Sequence, residues 1–162
     1  MDSIEVYLGL GTNEGDRYRN IEIALKRLCE LGILILKVSD IIETEPWGFE
    51  CSQKFLNCVV RGFVNVGVAP ETLLKICKSI EIELGRKEDV EYDSCGKRVY
   101  HSRPIDIDIL FYGVKIIDTE QLTIPHKGIK ERDFVMIPLL QVISEDIKSA
   151  FPELFGKKSL HL

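Results

Sequence analysis

The stretch Phe55-Leu56-Asn57-Cys58-Val59-Val60-Arg61-Gly62-Phe63-Val64-Asn65-Val66 reads as one long strand, because β-branched and aromatic residues dominate it and no proline interrupts it. Side chains alternate between the two faces of a strand. Leu56, Cys58, Val60, Val64 and Val66 therefore share an apolar face, whereas Phe55, Asn57, Val59 and Arg61 lie on the other. One face is core and the other is mixed, as in an antiparallel sheet with helices packed on its apolar side.

Toward the N-terminus, "ETEPWGFECSQK" (Glu43–Lys54) breaks the pattern with Pro46 and Gly48 and reads as a loop. Before it, Ile33 to about Ile42 is a β-branched and apolar run, the second strand. From Arg17 to Leu31, apolar Ile21, Leu25, Leu28 and Leu31 recur at helical spacing. Glu5 to Leu10 forms a first strand, and "GLGTNEG" (Gly9–Gly15) supplies a glycine-rich turn. Toward the C-terminus, Pro70 suits the first turn of a second helix whose Leu73, Cys77, Ile80 and Leu84 keep helical spacing, and Gly85 terminates it. Arg86 to Pro104 is charged, shows no sustained period and reads as a long surface loop. A fourth strand over Ile105 to Tyr112 follows, then short extended pieces and a helix around Phe134 to Val142, in which Pro138 fits best near the first turn. The order strand, helix, strand, strand, helix, strand implies an α+β fold. It matches a ferredoxin-like βαββαβ antiparallel sheet with helices mainly on one face and a C-terminal extension, in a single domain over residues 1–162.

The composition suits that reading. The 162 residues are 45% hydrophobic and 29% charged, with a mean hydropathy of +0.04, the profile of one globular domain. A net charge of −5 argues against a nucleic-acid binder, which needs a basic face to displace counterions. Five cysteines, Cys29, Cys51, Cys58, Cys77 and Cys95, form no C-x-x-C pair and read as reduced thiols. The N-terminus lacks the basic start and apolar core of a signal peptide, and the most apolar run, Leu31–Leu36, is too short for a membrane span. The expectation is a cytoplasmic, monomeric protein that acts on small molecules.

The chemistry concentrates in Arg103-Pro104-Ile105-Asp106-Ile107-Asp108-Ile109-Leu110. Alternation sends the three isoleucines to one face and both aspartates to the other. At ~7 Å and an effective dielectric near 20, the two carboxylates repel by about 2.4 kcal/mol. A divalent cation offsets that cost, and Mg²⁺ is commonly held by one or two carboxylates together with substrate phosphates; the other reading is a solvated face that carries two acids. Arg86 and Arg103 bracket a loop that also holds Lys87, Lys97, Arg98 and His101, cations suited to a transferring phosphoryl group, although Glu88, Asp89, Glu91 and Asp93 share it. "GLGTNEG" departs from G-x-G-x-x-G, and "SCGKR" lacks the first glycine and the final Ser or Thr of a Walker A loop. The three histidines show no metal-ligand spacing. Phe55 and Asn57 offer a stacking surface and an amide for a planar heterocycle, or ordinary strand packing.

Taken in order, "YLGLGTNEGD", "ETEPWGF", "FLNCVV", "IELGR", "SRPIDIDILFYG" and "LTIPHKGIKERDF" resemble the 6-hydroxymethyl-7,8-dihydropterin pyrophosphokinases of folate biosynthesis. The resemblance covers most of the chain. It implies transfer of the β,γ-diphosphoryl unit of ATP to the pterin hydroxymethyl group with release of AMP, on a ferredoxin-like fold without a P-loop. By the same resemblance Asp106 and Asp108 hold two Mg²⁺ ions, Phe55 and Phe134 sandwich the pterin, Asn57 reads its polar edge, and Thr44, Glu45 and Trp47 lie in the loop beside it. Glu81, Arg86, Arg103, Thr123, His126 and Arg132 match positions around ATP, the co-substrate, with Arg86 and Arg103 meeting charge on the transferred group. The chain departs from the family's pattern at Tyr100-His101-Ser102, where an aromatic followed by Gly-Pro is common, and at Gln121 and Lys127, where some members carry Arg and Tyr. Two other readings are a two-metal nucleotidyl transferase or cyclase, and a non-catalytic ferredoxin-like binding module.

Overall fold

In a computed structural model of the chain, residues 2–45, 54–85, 91–92, 94–96, 98–99 and 104–156 are described. Strand β1 (Ser3–Thr12) leads into helix α1 (Arg17–Glu30). Asp16 caps that helix, its carboxylate accepting from the Arg19 N–H at 3.1 Å, which satisfies one of the free donors of the first turn. The glycine-rich run is thus less of a turn than expected. Gly9 and Gly11 lie within β1, and the chain turns only near Gly15, whose φ of +71° suits glycine.

The expected second strand is two pieces, β2 (Leu34–Val38) and β3 (Ile42–Thr44). Ser39 makes the break. Its N–H donates to the Val59 carbonyl at 2.9 Å and its hydroxyl accepts from the Val59 N–H at 2.8 Å. Both pieces run antiparallel to the same long strand, β4 (Phe55–Asn65), β2 along residues 60–63 and β3 along 55–57. Helix α2 (Pro70–Glu83) begins with Pro70 in its first turn and ends before Gly85, whose φ is +106°. Inside the segment read as loop, β5 (Glu91–Tyr92) and β6 (Arg98–Val99) pair as a small hairpin. β7 (Asp106–Tyr112) then returns to pair with β1. The main sheet has the order β2-β4-β1-β7, with β3 also on β4 and every pairing antiparallel. A second small hairpin, β8 (Ile117–Asp118) with β9 (Thr123–Ile124), precedes helices α3 (Asp133–Val142) and α4 (Glu145–Ala150).

Helices cover both faces of the sheet, where the sequence suggested mainly one. On the first face Val6, Leu8, Leu10, Cys58, Val60 and Ile107 pack with Ile21 and Leu28 of α1 and with Leu73, Cys77 and Ile80 of α2. On the second, Tyr7, Val59, Leu110 and Phe111 pack with Leu139 and Val142 of α3, Ile147 of α4, and Phe151. Pro138 sits inside α3, not in its first turn, and is buried. A register shift between β1 and β7 at Tyr7/Leu8 places both Leu110 and Phe111 against the second core. The bulge thus interrupts the strict alternation that holds from Ile105 to Ile109.

Candidate active site

The second core does not run the whole length of its face. Beyond Tyr7 and Val59 the face carries Phe55 and Asn57 on β4, Gly9 and Gly11 on β1, and Asp106 and Asp108 on β7. The register sets them side by side: Gly11 lies opposite Asn57 on one flank and Asp106 on the other, and Gly9 is opposite Val59 and Asp108. Directly opposed residues of neighbouring strands project from the same face. With no side chain on β1 between them, an amide wall and an acidic wall flank a trough along the β1 backbone, with Leu110 packed beside Gly9 and Asn57 beside Gly11. Gly11 suits that arrangement, because a Cβ there would sit 3.0 Å from Asn57 Oδ1 and the amide would have to give by a few tenths of an ångström.

On the amide side, Asn57 Nδ2 donates to Thr44 Oγ1 at 3.0 Å, and Thr44 is opposite Phe55. Three of the expected pterin residues thus come together by ladder register. Glu45 does not point with them: its carboxylate is largely exposed and pairs with Lys54 Nζ at 3.3 Å. Trp47 lies outside the described residues. Phe134 is the second residue of α3, which packs against β3 and β4. The Arg132 guanidinium lies 5.8 Å from its ring centroid, within cation–π range.

On the acidic side, Asp106 and Asp108 are half-buried while Ile105, Ile107 and Ile109 are buried, as alternation requires. Between the two acids, the Ile107 N–H points off the open edge of β7 and donates to Glu81 Oε2 at 2.7 Å. Glu81 comes from α2 and is only 4% exposed. Its carboxylate thus holds the strand that carries the aspartates, a contact that spacing alone did not suggest. Burial pushes the neighbouring Cys77 thiol up to about 12, with Glu81 and Asp108 adding to the effect. Burial likewise lifts Cys58 to about 12, so both thiols stay protonated and inert.

His126 stands at the mouth of this acidic wall, its N–H bonded to the Leu110 carbonyl at 3.0 Å. Nδ1 accepts from the Gly128 N–H at 3.0 Å, and Nε2 lies 3.8 Å from Asp108 Oδ2. Burial, then the Arg132 charge, holds the imidazole below its usual range, and Lys127 adds to this while Asp106 opposes it. We therefore read His126 as neutral at pH 7, with Nε2–H aimed toward Asp108, and not as one half of an ion pair. Thr123 on β9 is half-buried one turn of chain before it. Arg86 and Arg103 fall outside the described residues. The sequence reading takes Gly9 and Gly11 for a turn, because a glycine-rich run resembles one until strand pairing is known, and it does not show that Glu81 holds β7, because the Ile107 N–H it meets lies 26 residues away.

The sequence from residue 7 to residue 144 matches the family model for 7,8-dihydro-6-hydroxymethylpterin-pyrophosphokinase. A 2-amino-4-hydroxy-6-hydroxymethyldihydropteridine pyrophosphokinase of Porphyromonas gingivalis is 42% identical over 138 residues, covering 85% of this chain and 89% of its own. One of the same name from Aquifex aeolicus is 40% identical, with 85% and 79% covered. A folate synthesis bifunctional protein of Arabidopsis thaliana is 41% identical over 88% of this chain, which spans only 28% of that longer relative. The crystal structure of an HPPK-DHPS in complex with substrates shares the fold, with a TM-score of 0.60 at 18% identity over 98% of this chain and 45% of its own. Since the matched residues run through every strand of the main sheet and both walls of the trough, this chain belongs to the 7,8-dihydro-6-hydroxymethylpterin-pyrophosphokinase family.

Proposed function

We propose that the chain transfers the diphosphoryl group of ATP to the hydroxymethyl group of 6-hydroxymethyl-7,8-dihydropterin and releases AMP. The observation that carries this reading is the register Asn57–Gly11–Asp106. It sets an amide and an aromatic ring on one side of the β1 backbone and paired carboxylates on the other. A planar ring fits between Phe55 and Phe134 with its polar edge on Asn57, held in turn by Thr44. A polyphosphate lies toward Asp106, Asp108 and His126.

Asp106 and Asp108 suit Mg²⁺: two half-buried carboxylates on one face supply hard oxygen ligands and leave room for phosphate and water. On our reading Asp106 and Asp108 would hold two such ions, and the chemistry these would supply is neutralisation of polyphosphate charge beside the acceptor oxygen. The protein's own share is positioning and charge. Glu81 fixes β7 so that both carboxylates keep their spacing, neutral His126 offers an N–H beside Asp108, and Arg132 adds positive potential from the N-cap position of α3. Arg86 and Arg103 complete the set by stabilising charge on the transferred group. The sheet order is read as ferredoxin-like, β2 and β3 together forming one edge beside β4, β1 and β7. The protein is read as cytoplasmic and as acting on small molecules, and among the described residues no helix is long and apolar enough to cross a membrane.

The test is to incubate protein, ATP, Mg²⁺ and the pterin and to identify the nucleotide product. AMP with a pterin diphosphate supports the reading, ADP would mark a single-phosphoryl kinase, and pyrophosphate release would mark a nucleotidyl transferase. Asp106→Ala and Asp108→Ala should each abolish turnover while the far-ultraviolet circular dichroism stays that of the wild type.

A further inference from the structure

Arg17, the first residue of α1, is four-fifths buried on the side of the sheet opposite the trough. Its Nη1 donates twice, to Glu43 Oε2 and to the Lys54 carbonyl, each at 2.8 Å. Glu43 adjoins Thr44 at the end of β3, and Lys54 adjoins Phe55 at the start of β4. One guanidinium nitrogen therefore ties together the two chain ends from which Thr44 and Phe55 project. The hydrogen bond from Arg17, helped by its charge, also holds the Glu43 carboxyl below its usual range.

The tie matters because β3 is only three residues long, a ladder too short to hold itself. Across the ladder, Thr44 and Asn57 meet in a single hydrogen bond, and the Glu45–Lys54 pair is exposed on both sides, where ion pairs contribute little. We infer that Arg17 is a positioning residue for the pterin subsite, clamping β3 to β4 from behind so that Thr44 and Asn57 meet the ring in one fixed geometry. It reaches neither the ring nor the phosphates, so its influence falls on the affinity for one substrate only. This inference rests on the pterin reading above.

Arg17→Ala should raise the KM and the Kd for the pterin by about three- to fivefold, the size of effect expected from a partly screened charged pair. The KM for ATP and kcat at saturating pterin should stay at wild-type values. Arg17→Lys, which keeps a charged donor, should recover most of the loss. In the ligand-free protein, amide hydrogen exchange at residues 42–44 should quicken in Arg17→Ala and not in Arg17→Lys. A pterin Kd unchanged in Arg17→Ala, while the wild type binds normally, would overturn the inference and leave the assigned reaction standing. Equal losses for pterin and ATP, or a fall in kcat alone, would also overturn it, by showing a general structural role. A wild type that binds no pterin at all would overturn the assigned reaction itself.

Discussion

Gly11 marks where the two halves of the site meet, and its neighbours explain why even a methyl group is crowded there. Adding one methyl group would crowd Asn57 Oδ1, which is 3.0 Å from the ideal Cβ, and Asn57 cannot retreat without releasing Thr44. Gly11→Ala should therefore cost about 1–2 kcal/mol in chemical denaturation and weaken pterin binding more than ATP binding, as separate equilibrium titrations of the two ligands would show. His126 allows a prediction on pH. Its pKa is held below the ordinary 6.5 in the folded protein. As pH falls through that value the unfolded chain takes up the proton first, so stability present at neutral pH is lost on the acid side. His126→Asn removes that contribution, and its unfolding free energy should fall less than the wild type's between about pH 7 and pH 5; equal slopes would show that the imidazole titrates alike in both states. At this scale the aspartates were legible, because alternation alone pairs them. The glycine-bearing trough was not, since it exists only once β1 lies between β4 and β7.

At the scale of elements, β7 carries the acids on an edge of the sheet, and α2 closes that edge. The Ile107 N–H finds its partner in Glu81 and not in another strand. Glu81→Leu should leave that donor unmet and lose about 1–3 kcal/mol of stability, with turnover falling further as the aspartates lose their spacing. Glu81→Gln keeps an acceptor and should lose less, a contrast that urea titration and turnover assays resolve together. The helix α2 itself was readable from Pro70, the apolar spacing and Gly85, all local signals. The strand from Ile33 to Ile42 was misread as continuous because Ser39 breaks it through Val59, a partner 20 residues away. Helix α4 carries a local start signal: Ser144 accepts from the Ile147 N–H at 3.4 Å, and Glu145 and Asp146 stand in the first turn, the residues that start helices.

For the whole molecule, the decisive feature is a sheet with a core on each face, one of which stops short to leave the trough. Phe111 organises the second core, its ring 5.7 Å from Tyr7 edge-on and 5.4 Å from Phe151. Ser144, between α3 and α4, donates its N–H to Tyr7 Oη at 2.8 Å, which ties the helices to the sheet. Phe151→Ala should cost about 3–4 kcal/mol and lower Tm by roughly 10 °C for a domain of this size. Because α3 also carries Phe134, a loosened second core should raise the pterin KM before the protein unfolds. The acidic net charge acquires a place in this picture: acids line the trough, where on the proposed reading Asp106 and Asp108 would hold a metal ion and with it a polyphosphate. By itself the sequence determined what depends on near neighbours: the strand and helix periods, the Pro70 start and Gly85 end of α2, the paired aspartates and the mixed face of β4. Only the tertiary structure decided what depends on distant ones: Val59 as core, the bulge at Leu110, Glu81 on the β7 backbone, and Arg17 across two strand ends. The physical reason is that a side chain's period is written in its own stretch of chain, whereas a hydrogen-bond partner or a packed face is supplied by another element, and that element arrives only on folding.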